Sequence, residues 1–518
     1  MADSFFLGIE LGSTRIKAVV IDEGNLPIAT ATHAWENRLE DGYWTYHLED
    51  LWVGVQEVVQ LLGNLIPLGK ITALGISAMM HGYLAFDAED KQLVSFRTWR
   101  NTNTAKAAQD LSSTFSFNIP QRWSIAHLYQ AILDKEEHVS SIAWLTTLAG
   151  YVHYKLSGEK VLGIGDASGM FPIDSTTCFY DATMVTKFEE LAQNSEFNKK
   201  LTELLPKPLL AGVVAGSLTP QGALLLDPKG RIKADIPLSP PEGDAGTGMV
   251  ATNSVASLSC NLSAGTSIFA MAVLESPLST FYEEIDMVTT PSGLPVAMVH
   301  CNNCTSDLDA WIRLFAEMIS AVGIKIEASQ LYSAFYKEAL LGATDAGGLL
   351  AYNFLSGEPI VGLAEGRPLM VRLPESELNL ANFARCQLYA ALATLKLGMD
   401  ILYYKEDLRL SILTGHGGLF VQPVTGPQLV AAALEIPVAV TPLADEGGAW
   451  GIALLVSFMM QKEPHESLEQ FLETRIFAKT AVSHFEPRFE DVEGFKVFME
   501  RYNSGLSIAK KAVEALER

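Results

Sequence analysis

Positive charge is scarce in this chain. Its 518 residues carry 37 Lys and Arg against 60 Asp and Glu, a formal net charge of -23. Nucleic acid and anionic membrane surfaces need a basic footprint, so neither is expected as a partner. A nucleotide is not excluded, because a nest of amides and one cation suffice to hold its phosphates. Cysteine is equally sparse. Cys178, Cys260, Cys301, Cys304 and Cys386 form an odd, scattered set that suits a reducing cytoplasm better than a disulfide framework. Cys301-Asn302-Asn303-Cys304 has CxxC spacing but no second pair or His-x-His partner, so two reduced thiols in a loop are expected. The stretch Met1-Ala2-Asp3-Ser4 lacks the positive n-region of a signal peptide, and no apolar run reaches membrane-spanning length. These absences make a cytoplasmic protein the expectation.

What is present supports a large interior. Hydrophobic residues make up 48% of the chain and charged residues 19%, and the length predicts two large α/β domains rather than one core. Residues 5–10 are apolar and β-prone, Gly12-Ser13-Thr14 turns the chain, and residues 16–21 and 27–35 supply two further strands. Helical spacing runs through residues 50–65. A strand at 71–77 then delivers Met79-Met80-His81-Gly82, and a short strand follows at 83–86. Residues 142–156 read as a helix closed by Ser157-Gly158. The opening pattern then recurs: strands at 257–262 and 267–273 flank Ser263-Ala264-Gly265-Thr266. After a helix at 384–404, residues 410–413 lead into Thr414-Gly415-His416-Gly417-Gly418. One supersecondary plan is therefore used twice, with the boundary near residues 249–254 and domains at 1–250 and 251–518. Residues 485–518 read as a closing loop and a terminal helix.

Between the halves lies Gly243-Asp244-Ala245-Gly246-Thr247-Gly248. Glycines let a ligand approach the main chain, and a lone carboxylate there suits a general base or a hydrated metal. The same composition also describes a plain turn. Two facing domains that each offer a glycine turn make a cleft able to hold a polyphosphate from both sides. In-line phosphoryl transfer depends mainly on such positioning and on charge neutralisation.

These segments, in this order, resemble the FGGY carbohydrate kinases of the actin–Hsp70–sugar kinase superfamily, and within them the xylulokinase branch. Gly8-Ile9-Glu10-Leu11-Gly12-Ser13-Thr14-Arg15 resembles the first phosphate motif, and Met80-His81-Gly82 with Trp99-Arg100-Asn101 the sugar segment. Leu156-Ser157-Gly158-Glu159 and Asp166-Ala167-Ser168-Gly169 are similar to two further family segments. Gly243-Asp244 resembles the segment with the catalytic Asp, Ala264-Gly265-Thr266 the second phosphate motif, Ser356-Gly357-Glu358 a later loop, and Gly415-His416-Gly417-Gly418 the adenosine motif. The resemblance implies two actin-like ATPase (ribonuclease H-like) domains flanking a cleft that closes over sugar and ATP.

It also implies roles. Asp244 would be the general base, and Glu10 with Asp244 would hold Mg²⁺. Gly12, Ser13, Thr14, Arg15, Gly265 and Thr266 would meet the phosphates of ATP, and Gly417 and Gly418 the adenosine. Met80, His81, Trp99, Asn101 and Asp244 would line the sugar site. The implied reaction converts D-xylulose to D-xylulose 5-phosphate, leaving room for a homodimer. A kinase of a ribulose, hexulose or alditol stays open, as does a weakly catalytic sugar- or nucleotide-responsive regulator. The chain departs from the family pattern at several points: Glu10 and Asn101 stand where Asp is usual, residues 124–133 lack an expected Lys and Trp, and Gly447-Gly448-Ala449 replaces an alanine-rich helix start.

Overall fold

A computed structural model of the chain describes residues 4–193, 197–441 and 447–516; residues 1–3, on which part of the leader reading rests, lie outside them. Among the described residues, two sheets form the framework. The first holds β1 (Phe5–Leu11), β2 (Arg15–Ile21), β3 (Pro27–Ala34), β4 (Ile71–Ala78) and β5 (Glu242–Gly243), in the spatial order β5-β4-β1-β2-β3. β1, β2 and β3 form an antiparallel meander, whereas β4 and β5 run parallel to β1. The second sheet holds β6 (Ser259–Ala264), β7 (Ile268–Val273), β8 (Ile285–Thr289), β9 (Pro295–Cys301), β10 (Ile412–His416), β11 (Val438–Val440) and β12 (Ser483–Phe485). Its order is β8-β9-β7-β6-β10-β11-β12, with β10 parallel to β6 and β11 parallel to β10. Each sheet thus carries a meander of antiparallel strands joined to parallel strands beside its first strand. The doubled plan expected from the sequence is present.

The helices follow from apolar periodicity and end at identifiable caps. α1 (Leu48–Leu65) buries Leu51, Val55, Val58, Val59 and Leu62, one stripe at helical spacing. Only the later part of the expected 142–156 helix is helical. Trp144–Thr146 is a short strand, and α2 (Leu148–Ser157) starts after Thr147, whose side chain accepts the Gly150 N–H. Gly158 ends it in the left-handed region at φ 81°. α3 (Ile164–Ser168) and α4 (Asp244–Ala251) are short, α5 (Leu380–Lys405) is long and buried, and α6 (Thr425–Leu434) follows β10. α7 (Gly447–Gln461) is apolar around its whole circumference, as a helix enclosed on every side must be. The terminal helix α8 (Phe489–Ala515) docks on α5 through the buried pair Arg385–Asp491, 2.8 Å apart.

α7 decides how the two halves meet. It comes after most of the second sheet in sequence but packs on the first. A Cβ on Gly8 would lie 2.2 Å from the Ala449 carbonyl, and one on Gly75 2.7 Å from Val456. Gly8 and Gly75 are partners in the β1–β4 register, so together they leave a bare strip on which α7 lies. α4 crosses α7 just as tightly, because a Cβ on Gly451 would lie 2.0 Å from the Thr247 carbonyl. The ends of β1, β4, β5, α4 and α7 therefore converge between the two sheets.

Among the described residues no helix is long and apolar enough to cross a membrane. All five cysteines are free. Cys301 closes β9 rather than lying in a loop, and both members of the CxxC are buried.

Candidate active site

Asp244 is not in a turn. It is the first residue of α4, immediately after the two-residue strand β5, and its Oδ1 accepts the Met80 N–H at 3.1 Å. β5 pairs in parallel with the end of β4, Gly243 opposite Ala78, so the residues just beyond each strand are neighbours. Ligands in α/β sheets collect at the carboxyl ends of such parallel strands. Burial pushes the Asp244 carboxyl up to about 6, although the N–H groups of Met80 and Ala245 pull the other way.

Glu10 sits near the end of β1, opposite Ser77 of β4. Its Oε2 accepts the Ala449 N–H in the first turn of α7 at 3.2 Å. Burial, and then the neighbouring Asp244 carboxylate, raise Glu10 to about 7, against the Ala449 N–H and Lys17. The structure thus places Glu10 within the electrostatic reach of Asp244. A desolvated carboxyl raised further by a neighbouring carboxylate is relieved by a cation, and Mg²⁺ is commonly held by one or two carboxylates plus substrate phosphates. The residues fit that ion. When bound, it would neutralise phosphate charge.

The first glycine turn is held rigidly from one side. Trp35 donates its indole N–H to the Gly12 carbonyl at 2.7 Å and its backbone N–H to the Thr14 carbonyl at 3.2 Å. Tyr46 donates its hydroxyl to the Ser13 carbonyl at 2.6 Å, and the Trp35 and Tyr46 rings stack with centroids 4.2 Å apart. In a trans peptide the N–H of the next residue points opposite to the C=O. Pinning the carbonyls of Gly12 and Ser13 therefore turns the amides of Ser13 and Thr14 away from the aromatic wall, as a phosphate cradle requires. Thr14 and Arg15 are exposed.

The second turn repeats the device with other residues. The Gly265 carbonyl accepts the backbone N–H and the hydroxyl of Thr305, and the Thr266 carbonyl accepts the Cys304 N–H. The amides of Thr266 and Ser267 are turned outward by the same geometry. Nothing lies within 4 Å of where a Gly265 Cβ would be, so the main chain there is open to a ligand. Gly417, at φ 94°, closes on the end of β6, where a Cβ would meet the Ala264 carbonyl at 2.5 Å. Gly417 and Gly418 are both exposed next to the second turn.

His81 and Asn101 have different uses. His81 is buried at φ 66°, an uncommon conformation for a residue with a Cβ. Its Nδ1 lies 3.1 Å from the Gly169 carbonyl, which only accepts, so Nδ1 carries the proton. Burial and the Arg122 guanidinium hold the ring well below the usual histidine range. It is therefore neutral, and Nε2 keeps a lone pair for a hydroxyl donor. Met80 packs under Gly243, where a Cβ would be 2.1 Å from its Cγ. Trp99 lies half-exposed and donates its indole N–H to the Ser13 hydroxyl at 3.1 Å, touching the phosphate turn itself. Asn101 does not face the cleft. Its Oδ1 accepts the Trp44 N–H at 2.8 Å, and its Nδ2 donates to the carbonyls of Trp44 and Thr98.

An amide turn in each half, with two neighbouring buried carboxyls at the strand and helix ends of the first, fits the layout expected of the family named above. Sequence models of that family fit both halves. The model of the N-terminal domain of the FGGY family of carbohydrate kinases matches residues 5–249, and that of the C-terminal domain matches residues 260–460. The chain belongs to the FGGY family of carbohydrate kinases. It is 21% identical over 436 residues to a xylulose kinase of Haemophilus influenzae, covering 80% of this chain and 82% of that one. Its fold is similar to a ligand-bound xylulose kinase of Lactobacillus acidophilus, with a TM-score of 0.82 at 18% identity over 98% of this chain and 99% of the other. It is also similar to a gluconate kinase of Lactobacillus acidophilus, with a TM-score of 0.80 at 18% identity over 98% and 99% of the two chains. The protein is thus an ATP-dependent FGGY sugar kinase with the two-domain, actin-like ATPase fold.

Sequence reading missed several groups that build this kinase's site. Asp166 is buried and pushed well above the usual carboxylate range by desolvation. Its Oδ2 accepts the Thr147 hydroxyl at 2.6 Å, and its Oδ1 has no hydrogen-bond partner. Glu242, just before Gly243-Asp244, accepts the N–H groups of Gly165 and Asp166 and is pushed up to about 8 by burial. Gly163 and Gly165 make room for it, since a Cβ on either would fall within 2.6 Å of its carboxylate. Arg122 forms an ion pair with Asp286 of β8, which Asn118 also holds at 2.7 Å, so this contact ties the sugar segment to the second half. The same guanidinium, after burial, lowers His300 of β9 to about 3. The only signal in the sequence was the Asp166-Ala167-Ser168-Gly169 segment, whose Gly169 is now explained: a Cβ there would lie 2.6 Å from His81 Nδ1. Glu358 buttresses the second turn indirectly, accepting the backbone and side-chain N–H groups of Asn303 inside the CxxC.

Proposed function

We propose that this kinase phosphorylates a ketopentose, D-xylulose first, and transfers the γ-phosphoryl group of ATP to the 5-hydroxyl. The observation that carries this reading is Asp244, held by the Met80 N–H next to a neutral His81, with Trp99 of the same sugar segment bonded to Ser13 of the first glycine turn. In this reading His81 Nε2 accepts a sugar hydroxyl and Asp244 takes the proton from the attacking one. Its raised pKa suits a base operating near neutrality. Mg²⁺ would be held by Glu10 and Asp244 with the phosphates. The amides of Ser13, Thr14, Thr266 and Ser267 take up phosphate charge, and Gly417 and Gly418 receive the adenosine. The names of the relatives support xylulose, while the gluconate kinase of like fold keeps an aldonate in view.

The test is ADP release measured over pentuloses, hexuloses, alditols and aldonates. D-xylulose should give the largest kcat/KM, and no sugar-dependent turnover on any of them would refute the reading. Asp244→Asn should lower kcat by about 10²- to 10⁴-fold, the usual scale for a lost proton-transfer group, while sugar and nucleotide still bind. An unchanged kcat would instead favour a regulatory protein.

A further inference from the structure

Two of the departures from the family pattern lie in contact. Glu10 is one methylene longer than the usual Asp, and the chain facing it, Gly447-Gly448-Ala449, starts α7 without side chains where an alanine-rich start is usual. A Cβ on Gly448 would lie 2.3 Å from Glu10 Oε1 and 2.7 Å from Thr247 Oγ1, so an alanine there cannot coexist with the present carboxylate position. Directly beyond it, the Ala449 N–H donates to Glu10 Oε2 at 3.2 Å, a bond favoured by the positive end of α7. Gly447 stands at φ 62° and leaves the same side of the carboxylate open, its hypothetical Cβ 3.9 Å from Oε2.

From this contact we infer that Gly448 and the Ala449 amide are positioning partners of Glu10, and that Glu10 and Gly448 form a matched pair placing the longer carboxylate for its metal-bound phosphate. The extra methylene is accommodated by removing a side chain from α7 rather than by shifting β1, whose Gly8 and Gly75 partners are already pressed against the same helix. α7 packs on the first sheet although it follows most of the second in sequence, so it sets the geometry of the carboxylate from the other half of the chain. This inference rests on the metal role given to Glu10 under the proposed function.

The test is a double-mutant cycle of wild type, Gly448→Ala, Glu10→Asp and the double variant. It is read in two ways, neither of which needs a sugar: the melting temperature of the ligand-free protein, and the Mg²⁺ dependence of ADP binding by calorimetry. Gly448→Ala alone should lower the melting temperature and weaken the Mg²⁺-dependent part of ADP binding by about 10- to 100-fold, the usual scale for displaced partners of a metal-binding group. Glu10→Asp alone is harmful because it gives up the Ala449 bond, but in the Gly448→Ala background it also relieves the clash with the carboxylate, so the double variant should lose clearly less than the sum of the two single losses. The contact with Thr247 is present in both backgrounds and cancels in the cycle. Additive melting temperatures would overturn the inference, as would a Mg²⁺ dependence that stays within two-fold in all four proteins. A wild type that turns over no sugar would refute the substrate reading, yet leave both readouts interpretable.

Discussion

Replacing Asn101 by Asp separates two uses of one position. Carried over from the family, where Asp is common there, Asn101→Asp should be harmless or should improve sugar binding. The structure gives the opposite expectation. The Asn101 Nδ2 group donates to the Trp44 carbonyl at 2.9 Å and to the Thr98 carbonyl at 3.0 Å, while Oδ1 accepts the Trp44 N–H. A carboxylate keeps the third bond and loses the first two, setting an oxygen against two buried carbonyls. Both carbonyls keep a backbone donor, the Thr98 N–H for Trp44 and the residue-101 N–H for Thr98, so each lost bond costs about 0.5–1.5 kcal/mol, and the desolvated carboxylate set against them adds about 1–3 kcal/mol unless it takes up a proton. The sum is about 2–6 kcal/mol, which corresponds to a melting temperature lower by about 4–24 °C. A protonated Asp can donate one of the lost bonds, so the variant should regain stability as pH is lowered from 7 to 5 and its raised pKa is crossed. Thermal melts at both pH values, with the sugar KM measured in parallel, decide between the two uses. A variant that melts within 1 °C of wild type and binds sugar more tightly would refute the structural account.

Trp99→Phe keeps the ring and removes the indole N–H that meets the Ser13 hydroxyl. A net hydrogen bond of about 0.5–1.5 kcal/mol predicts a nucleotide KM raised about 2- to 10-fold. A change confined to the sugar KM would show that the bond to Ser13 does nothing for the nucleotide. Glu242 predicts a pH effect on stability. Its pKa is raised from 4.5 to about 8 in the fold, so its stabilising protonated form is fully favoured below the unfolded value and lost as pH rises toward 8. The urea midpoint should fall across that range, with a contribution of about 1.4 kcal/mol per pH unit per proton, and Glu242→Gln should flatten the slope. A wild-type midpoint that rises with pH would contradict the buried, protonated assignment.

Much of the fold was legible because the signals are local. The meander at residues 5–34 and its counterpart after residue 257 show in alternating apolar runs broken by glycine, and α1 and α5 in helical spacing. The start of the 142–156 segment was misread as helix for the same reason: Trp144–Thr146 is apolar in either conformation, and a partner strand decides. The glycine-rich Asp244 segment suited a plain turn as well as a general base, and only the structure shows that Asp244 opens a helix packed under α7. The family resemblance places Asn101 at the sugar site, but its bonds go to Trp44, 57 positions away, which no local pattern reveals. Arg122, Glu242 and His300 carried no spacing of their own, and Asp166 only a place in a family-like segment; their contacts became visible only when strand ends and short helices brought these residues to their partners.

By itself the sequence determined that the chain is acidic, is built twice on one α/β plan, and carries glycine turns in matching places, because hydrophobic periodicity and backbone permissiveness are properties of neighbouring residues. It also singled out Asp244 and His81, since those residue types beside glycine are chemically distinctive, while Glu10 entered only through the resemblance to the family. Only the tertiary structure decided which atoms they face. The outward turn of the phosphate amides depends on Trp35, Tyr46, Cys304 and Thr305. The neutral state of His81 depends on burial beside Arg122, and the seat of Glu10 on a glycine more than four hundred residues further along the chain. Hydrogen bonds, desolvation and steric exclusion act over a few ångströms of space, and sequence distance does not encode which residues come that close.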